Sequence, residues 1–480
     1  MAGEINRKGE VIPPRNITKP APILDIHGFQ WRGVERPSSQ TIPAGVGSSA
    51  QHVLGAAPGV LGDNKAIASE AVMRGQLGLD ATREPLLDYP LDVFTGSYAG
   101  NGFNMIFRPR PHFIKPADTG DGNPDNTLQL NLTTEQWTFG PTLGEVPNRG
   151  TESQDDINLG GLPYLQTVQD VTNVATGKGD KLPTNKPNGI HLEPGVFLMV
   201  PPSAASDQKT TIVRMASIPH GTTINAQGIA PTKNDKQPGS PDFINKHAAN
   251  AKPFIIGNPK GVRLDKGTFQ SMDIDQPNKT LRVPEGDLSK FSDKNGGTGR
   301  ITTAMIENPN LVLQKANEGL KMVDHVAFTV RTSSAKDPGD PGFQADGEET
   351  PGIANIAFLK PNANVEFMTS TFFVENVLYD VIVPGPLAPF ETVKEVWATM
   401  PQVSVPGDTT GKLQPSLAPT PVFSITAGPG GMPEAKKTIQ VLGTQLQYTQ
   451  AVSLNFAGLT WPHMSVATIV PTTPQPRAME

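Results

Sequence analysis

Alternation of apolar and polar residues along the chain predicts a series of short β-strands. It is clearest over 445–470, QLQYTQAVSLNFAGLTWPHMSVATIV, where apolar residues recur at every second position, as in Leu446 and Tyr448. A bend follows at Ala457-Gly458, and a second extended run closes at Val470. Side chains two residues apart share one face of a strand, so this stretch predicts a β-hairpin.

The same pattern predicts further strands upstream of this hairpin. They cover residues 96–107, 127–139, 164–174, 189–201, 210–218, 222–229, 310–313, 322–331, 353–359 and 364–377. Residues 311–320 fit a helix equally well, and their type stays open. About ten consecutive alternating strands close most simply into one barrel. The sequence therefore predicts an all-β fold, a single antiparallel up-and-down β-barrel with long insertions.

Glycine and proline divide these strands. The chain has 48 of each among 480 residues, and an interior Gly or Pro costs a helix about 1–3 kcal/mol, so this composition favours short strands joined by loops over a mainly helical protein. Two short helices are still predicted, over 64–77, with Asp63 as N-cap and Gly78 as stop, and over 389–400.

The spacing of these elements predicts a plan for the whole chain. Residues 1–90 form an N-terminal arm with one short helix, and the halves of the barrel occupy 91–229 and 301–475. An insertion covers 230–300 and another lies at 384–437, because both are too long for structureless loops. Residues 1–62, rich in Pro, Gly and Ser, read either as an arm that packs on a surface or another subunit, or as a disordered leader.

Charge and composition narrow the function. Forty basic and 46 acidic residues give a net charge of −6 without a block of like charge, so we expect no nucleic-acid partner. The chain has no cysteine, which excludes disulfides, thiolate zinc sites and cysteine nucleophiles. No apolar run is long enough to span a membrane, and the first residues lack the apolar core of a signal peptide. We expect a cytoplasmic protein.

Four short motifs occur in strand context. Gly96 to Gly102 reads GSYAGNG, the stretch 132–166 has a Gly-Pro reversal at 144–147, and His191 to Phe197 reads HLEPGVF. Near the end, Pro462 to Ala467 reads PHMSVA. In this order the motifs resemble those of the nitrobindin-like haem-binding β-barrels, with G-x-W-x-G-x-G, H-x-E-x-G-[FY] and P-H-L-x-A. The chain departs from that pattern in having Tyr98 for Trp, one extra residue before Phe197, and Ala467 one position late.

This resemblance implies a b-type haem held by His463, which matches the histidine that binds iron in the family. It also implies a barrel-interior pocket of apolar side chains around the haem, for which the candidates are Phe103, Phe197, Met199, Met215, Phe367 and Phe372. His220 is a candidate catalytic residue on the distal side, with a turn histidine as the alternative. The implied chemistry is isomerisation of peroxynitrite to nitrate, or binding of nitric oxide and related small oxidants.

The residues themselves also support interpretations other than a haem site. A strand histidine such as His463 is more often simply hydrogen-bonded, and His191 beside Glu193 and His325 beside Asp324 predict structural pairs. The oxygen-rich segment 118–126 fits a solvated turn better than a calcium loop. Walker A, G-x-S-x-G and H-E-x-x-H motifs are absent from the sequence. A barrel that binds a lipid without haem, and a structural protein that self-assembles as a homo-oligomer through the N-terminal arm, remain open.

Overall fold

The computed structural model describes a large part of the chain downstream of residue 86. The described residues are 87–109, 126–149, 156–173, 188–202, 209–218, 222–243, 281–283, 308–332, 365–404, 412–416, 418–456 and 459–479, with the single positions 179, 301, 305 and 410. The predicted arm, the helix over 64–77 and the strand over 353–359 lie outside them, as do most of the insertion over 230–300 and the segment 118–125.

Eighteen strands and one α-helix make up the described regular structure, together with two 3-10 turns. In chain order the strands are β1 Gly96–Pro109, β2 Asn126–Phe139, β3 Glu145–Asn148, β4 Ile157–Asp170, β5 Asn188–Val200, β6 Thr211–Ile218, β7 Thr222–Ile229, β8 Gln237–Pro238, β9 Leu281–Val283, β10 Lys321–Arg331, β11 Val365–Pro384, β12 Thr392–Trp397, β13 Gln402–Ser404, β14 Leu413–Pro415, β15 Val422–Thr426, β16 Lys436–Phe456, β17 Leu459–Pro471 and β18 Gln475–Ala478. The helix, α1, is Leu311–Ala316, and the turns are Leu91–Val93 and Lys233–Asp235.

Ten of these strands close into an antiparallel barrel. Their order around the barrel is β1, β2, β4, β5, β6, β7, β10, β11, β16 and β17, and β17 pairs again with β1 to complete the circle. The predicted all-β barrel is therefore confirmed. The terminal hairpin is also confirmed, because β16 and β17 pair from Leu446 with Ile469 to Phe456 with Leu459.

One predicted helix is wrong. Within residues 389–400 the chain forms strand β12, which pairs with β15 through Val396 and Phe423. Val396 and Ala398 are buried in this pairing, whereas Trp397 between them is 57% exposed. The period of two places Val396 against a sheet, and this packing outweighs the helical spacing of the segment. At residues 310–313, where a strand was one of the two expectations, α1 begins.

Two ends of the barrel differ in character. At the end where β1 begins, Leu87, Leu91 and Phe94 are buried among the interior side chains. The Phe94 ring lies 5.2 Å from that of Phe139 and 5.8 Å from that of Phe197. We call this the plugged end. The opposite end, where β17 begins, carries His463, and we call it the histidine end.

A small β-module extends from the plugged end. There β11 and β16 continue beyond the barrel as a ribbon that pairs as far as Pro384 and Lys436. The sheet β12-β15-β18 packs on one face of this ribbon and buries a separate core, which includes Tyr379, Val381 and Phe423. Residues of the predicted insertion at 384–437 thus share this core with the ribbon of β11 and β16. None of the described helices is long and apolar enough to cross a membrane.

Candidate functional site

The interior of the barrel has two layers. Nearer the plugged end, aromatic side chains pack against one another, and Trp137, Tyr164, Phe197, Phe328 and Phe372 are all buried there. The Trp137 and Tyr164 rings stack with centroids 5.2 Å apart, and those of Phe328 and Phe372 with centroids 5.1 Å apart. This layer is filled by side chains, so it leaves no room for a ligand.

The second layer is a network of buried charged and polar groups centred on Arg214. Its guanidinium donates from Nη2 to Oε1 of Glu193 at 2.6 Å and from Nε to the hydroxyl of Tyr164 at 2.9 Å. Nη1 donates to Oε1 of Gln450 at 2.7 Å, and Ser370 donates to the same oxygen at 2.6 Å. Arg214 also lies over the Trp137 ring, 5.3 Å from its centroid. The charge is therefore both paired and held in place from several strands.

The two interior carboxyl groups have opposite ionisation tendencies. Burial alone would raise the pKa of Glu193, but Arg214 and hydrogen bonds from His191 and Tyr164 outweigh burial and lower its pKa to about 2. Glu135 is held mainly by neutral groups instead. Burial raises its pKa, and hydrogen bonds from Tyr448 and Gln166 offset this only in part. The interior thus holds one fixed charge and one group that favours the protonated form.

His191 extends this network toward the histidine end. It lies two residues before Glu193 on β5, so both side chains share the interior face. Its Nε2 atom is 3.0 Å from Oε2 of Glu193. The structural pair predicted from the sequence is present, and it places an imidazole next to the buried ion pair. The other predicted pair, His325 with Asp324, is wrong. His325 faces outward with its Nδ1 2.8 Å from the carbonyl of Gly239, whereas Asp324 pairs with Lys236 and accepts from Asn376.

His463 lies on the interior face of β17. Its cross-strand neighbours are Val452 on β16 and Ile106 on β1. Val452 belongs to the interior core, and cross-strand neighbours project to the same face, so His463 does too. Two residues closer to the plugged end, Ser465 pairs with Gln450 of the Arg214 network. His463 and the network therefore line one continuous wall.

The other predicted site residues divide between the two faces of the barrel. Phe197, Met199 and Phe372 lie in the interior core, as predicted. The interior position predicted for Phe103 and Met215 is wrong. Phe103 packs outward in the cluster that contains Leu313 of α1, and Met215 is 37% exposed. The reason is parity, because Asn104 and Arg214, one residue away, take the interior positions. The side chain of Phe367 and all of His220 lie outside the described residues.

The polar network was missed by sequence reasoning, although a signal for it exists. Arg214 is an even number of residues from Ile212 and Ile218 on its strand, and Glu193 is an even number from Phe197. Each charged residue therefore lies on the buried face of its strand. A charged residue at a core position of two successive strands predicts a buried pair.

No family model and no curated protein matches the chain.

The haem that the resemblance implies needs fewer protein ligands than a bare metal ion. The described residues contain no cluster of three His, Cys, Asp or Glu that would hold a bare metal ion. Haem requires only one axial ligand from the protein, and an imidazole is a common one. His463, which faces the interior between Val452 and Ile106, meets this requirement. The histidine end thus offers one imidazole of the type that can ligate haem iron.

Proposed function

We propose that the histidine end of the barrel binds a small molecule, and that this molecule is b-type haem ligated by His463. The observation that carries the proposal is the orientation of His463, an imidazole on the interior face of the last barrel strand with apolar neighbours on both sides. The resemblance of PHMSVA to the P-H-L-x-A segment of the nitrobindin-like barrels supports the same residue.

The chain's own residues would have three roles. His463 would supply the nitrogen ligand, Val452 and Ile106 flank it, and the buried Arg214 network would limit how deep a ligand enters. His191, held by Glu193, is an interior imidazole on β5, across the barrel from β17. It can exchange a proton with a polar ligand. When bound, ferric haem would supply the isomerisation of peroxynitrite to nitrate.

Titration of the purified chain with hemin, followed by absorption spectroscopy, tests the proposal. We expect a Soret band that saturates at one haem per chain. His463→Ala should weaken haem binding by more than about 10-fold, the loss typical when a residue that only supports a metal ligand is removed. His325→Ala is the matched control, because His325 also lies on a barrel strand but faces outward, and its titration should equal that of the natural chain.

Two results would overturn parts of this proposal. An unchanged spectrum in His463→Ala would remove His463 from the site. The lack of a Soret band in the natural chain would reject haem altogether. In that case mass spectrometry of an organic extract would show whether the barrel carries a lipid instead.

A further inference from the structure

A second buried polar cluster lies on the outer face of the barrel wall, beneath α1. Its members are Glu375 of β11, Gln445 and Gln447 of β16, Thr468 of β17, and Asn317, which follows α1. Glu375, Gln445 and Gln447 have no exposed surface. The cluster is separate from the Arg214 network, because Glu375 alternates with the interior residues Phe372 and Val374 and projects outward.

Every amide N–H group of this cluster already has an acceptor. Gln445 donates from Nε2 to Oε2 of Glu375 at 2.6 Å and to Oδ1 of Asn317 at 2.8 Å. Asn317 donates from Nδ2 to Oε1 of Glu375 at 3.2 Å and to Ser240 at 3.1 Å. Gln447 donates from Nε2 to Thr468 at 2.7 Å and to the carbonyl of Leu313 at 3.1 Å. No side-chain amide proton is left over for a further oxygen.

At this cluster, two buried oxygens have no hydrogen-bond partner among the described residues. They are Oε1 of Gln445 and the hydroxyl of Tyr379. Tyr379 lies on the same face of β11 as Glu375, and its ring covers Gly443, where an added Cβ would meet Cδ2 and Cε2 of the ring at 3.0 Å. Gly443 is two residues before Gln445, so the ring leans along the strand toward the cluster. An unpaired buried polar atom is costly, and two beside one carboxyl group indicate a missing partner.

Positive charge is also missing from this cluster. The described residues give Glu375 no ion pair. His325 is its cross-strand neighbour, but the imidazole contacts the carbonyl of Gly239. Lys315 of α1 pairs instead with Glu318, at 2.9 Å and at the surface. Burial raises the pKa of Glu375 to about 8, and the hydrogen bonds from Gln445 and Asn317 offset this only in part.

We propose that this cluster is a binding site for a monovalent metal cation, K⁺ or Na⁺, with ligands from Glu375, Gln445 and Tyr379. Carboxylate, amide carbonyl and hydroxyl oxygens are ligands for hard cations. A single carboxylate matches a single positive charge, whereas calcium sites use several carboxylates and six to eight oxygens. The cation contacts the oxygens of Gln445 and Tyr379 that lack a hydrogen-bond partner, and its charge neutralises that of the Glu375 carboxylate. Because Asn317 joins α1 to the same carboxylate, cation binding also fastens α1 to the barrel.

Thermal unfolding in different chloride salts tests the site. The full chain is compared in choline chloride, sodium chloride and potassium chloride at a constant ionic strength of about 0.15 M and a pH of about 8.5, where the proton competes least with the cation. We expect the midpoint in sodium or potassium chloride to exceed that in choline chloride by at least about 2 °C. At a pH of about 6 the difference should shrink, because Glu375 then keeps its proton.

Variants assign the effect to the cluster. Glu375→Gln, which mimics the protonated carboxyl group, should fold and lose the dependence on the cation. Tyr379→Phe should raise the salt concentration needed for half of the effect about 10-fold, a change of about 1.4 kcal/mol. Asp380→Asn is the matched control, since Asp380 is an acidic residue of the same strand that pairs with Lys321 at the surface, and it should keep the full dependence.

A direct binding signal makes the test independent of any variant's folding. Thallium(I) replaces K⁺ at oxygen sites, and titration followed by ²⁰⁵Tl magnetic resonance should show a bound resonance in the natural chain. Equal midpoints in all three salts, together with no bound thallium, would overturn the proposal and leave a proton as the partner of Glu375. A dependence on the cation that persists in Glu375→Gln would overturn it as well.

Discussion

At the residue scale, Arg214 contacts five side chains on four other barrel strands. They are Tyr164 and Gln166 of β4, Glu193 of β5, Ser370 of β11 and Gln450 of β16. A buried ion pair contributes little net stability relative to apolar residues, but removal of one partner leaves an uncompensated charge. The ion pair therefore adds little to the stability of the barrel, but removal of the guanidinium alone should lower that stability strongly.

We predict that Arg214→Met lowers the free energy of unfolding by about 3–5 kcal/mol, because Glu193 is then buried without a counter-charge. Urea denaturation followed by tryptophan fluorescence measures the change. Lys236→Met is the control, because Lys236 and Asp324 form a half-exposed pair of the kind that contributes about 1 kcal/mol or less. Similar losses in the two variants would contradict the distinction between buried and exposed pairs.

The candidate site was only partly predictable at this scale. His463 could be chosen because a motif and a predicted strand coincide at it, and His191 with Glu193 because the two are two residues apart. The choice of Met215 over Arg214 failed because TIVRMASI has apolar residues at both parities, so alternation alone does not say which face is buried. Only other strands of the barrel, which supply Glu193 and Gln450, decide it.

At the element scale, β1 approaches β17 so closely that only glycine fits at residue 100. A Cβ there would lie 1.9 Å from the carbonyl oxygen of Thr468 and 2.9 Å from the Cα of Ile469. Both atoms belong to the backbone, which cannot turn away as a side chain does. The pairing of β1 with β17 is the contact that closes the barrel, so this glycine controls closure.

We predict that Gly100→Ala costs about 2–3 kcal/mol, since the added methyl group forces the two backbones apart. Gly189→Ala is the matched control, because Gly189 also lies in a barrel strand and a Cβ there meets no atom within 4 Å. Thermal unfolding of both variants measures the difference. A Gly100→Ala midpoint equal to that of the control would contradict the close approach.

Elements with clean alternation were predictable, and elements with mixed spacing were not. The alternating segments 127–139 and 322–331 became β2 and β10 with bounds within a residue or so. In contrast, PFETVKEVWATM carries apolar residues at both helical and extended spacing. Its outcome as β12 depends on β15, a partner from a distant part of the chain, and local sequence holds no information about that partner.

At the scale of the whole molecule, the barrel and the β-module share strands. The ribbon of β11 and β16 forms barrel wall at one end and the floor of the module at the other. Strand β18, which follows β17, pairs in parallel with β15 and returns the chain to the module. Neither part has a complete core without these strands, so the two should lose structure together.

We predict that scanning calorimetry of the chain gives one unfolding transition for barrel and module, with a calorimetric enthalpy equal to the van't Hoff enthalpy. The variant Phe423→Ala, in the module core, should lower that single midpoint rather than split the peak, because loss of a buried Phe typically costs about 3–5 kcal/mol. Two separated peaks would show that the module unfolds by itself.

The barrel was predictable at this scale because, apart from the closing pair of β1 and β17, its strands pair in their order along the chain, so local alternation carries the topology. The module was predictable only as an insertion at 384–437. Its core joins residues 377–383, 396–398, 422–427 and 441, and its sheet adds the parallel strand β18 from beyond the hairpin. Contacts between such distant segments leave no periodic trace in the sequence.

Side chains of β11 and β16 alternate between two buried faces, and this alternation limits where residues can be inserted into the chain. Successive residues of these strands serve the barrel interior, the buried oxygen cluster under α1 and the core of the module. An insertion of one residue in either strand would exchange Glu375 or Gln445 with an apolar neighbour and disturb all three regions at once. Length differences among natural variants of this chain should therefore fall in the loops, and within the ribbon they should come only as pairs of residues matched on both strands.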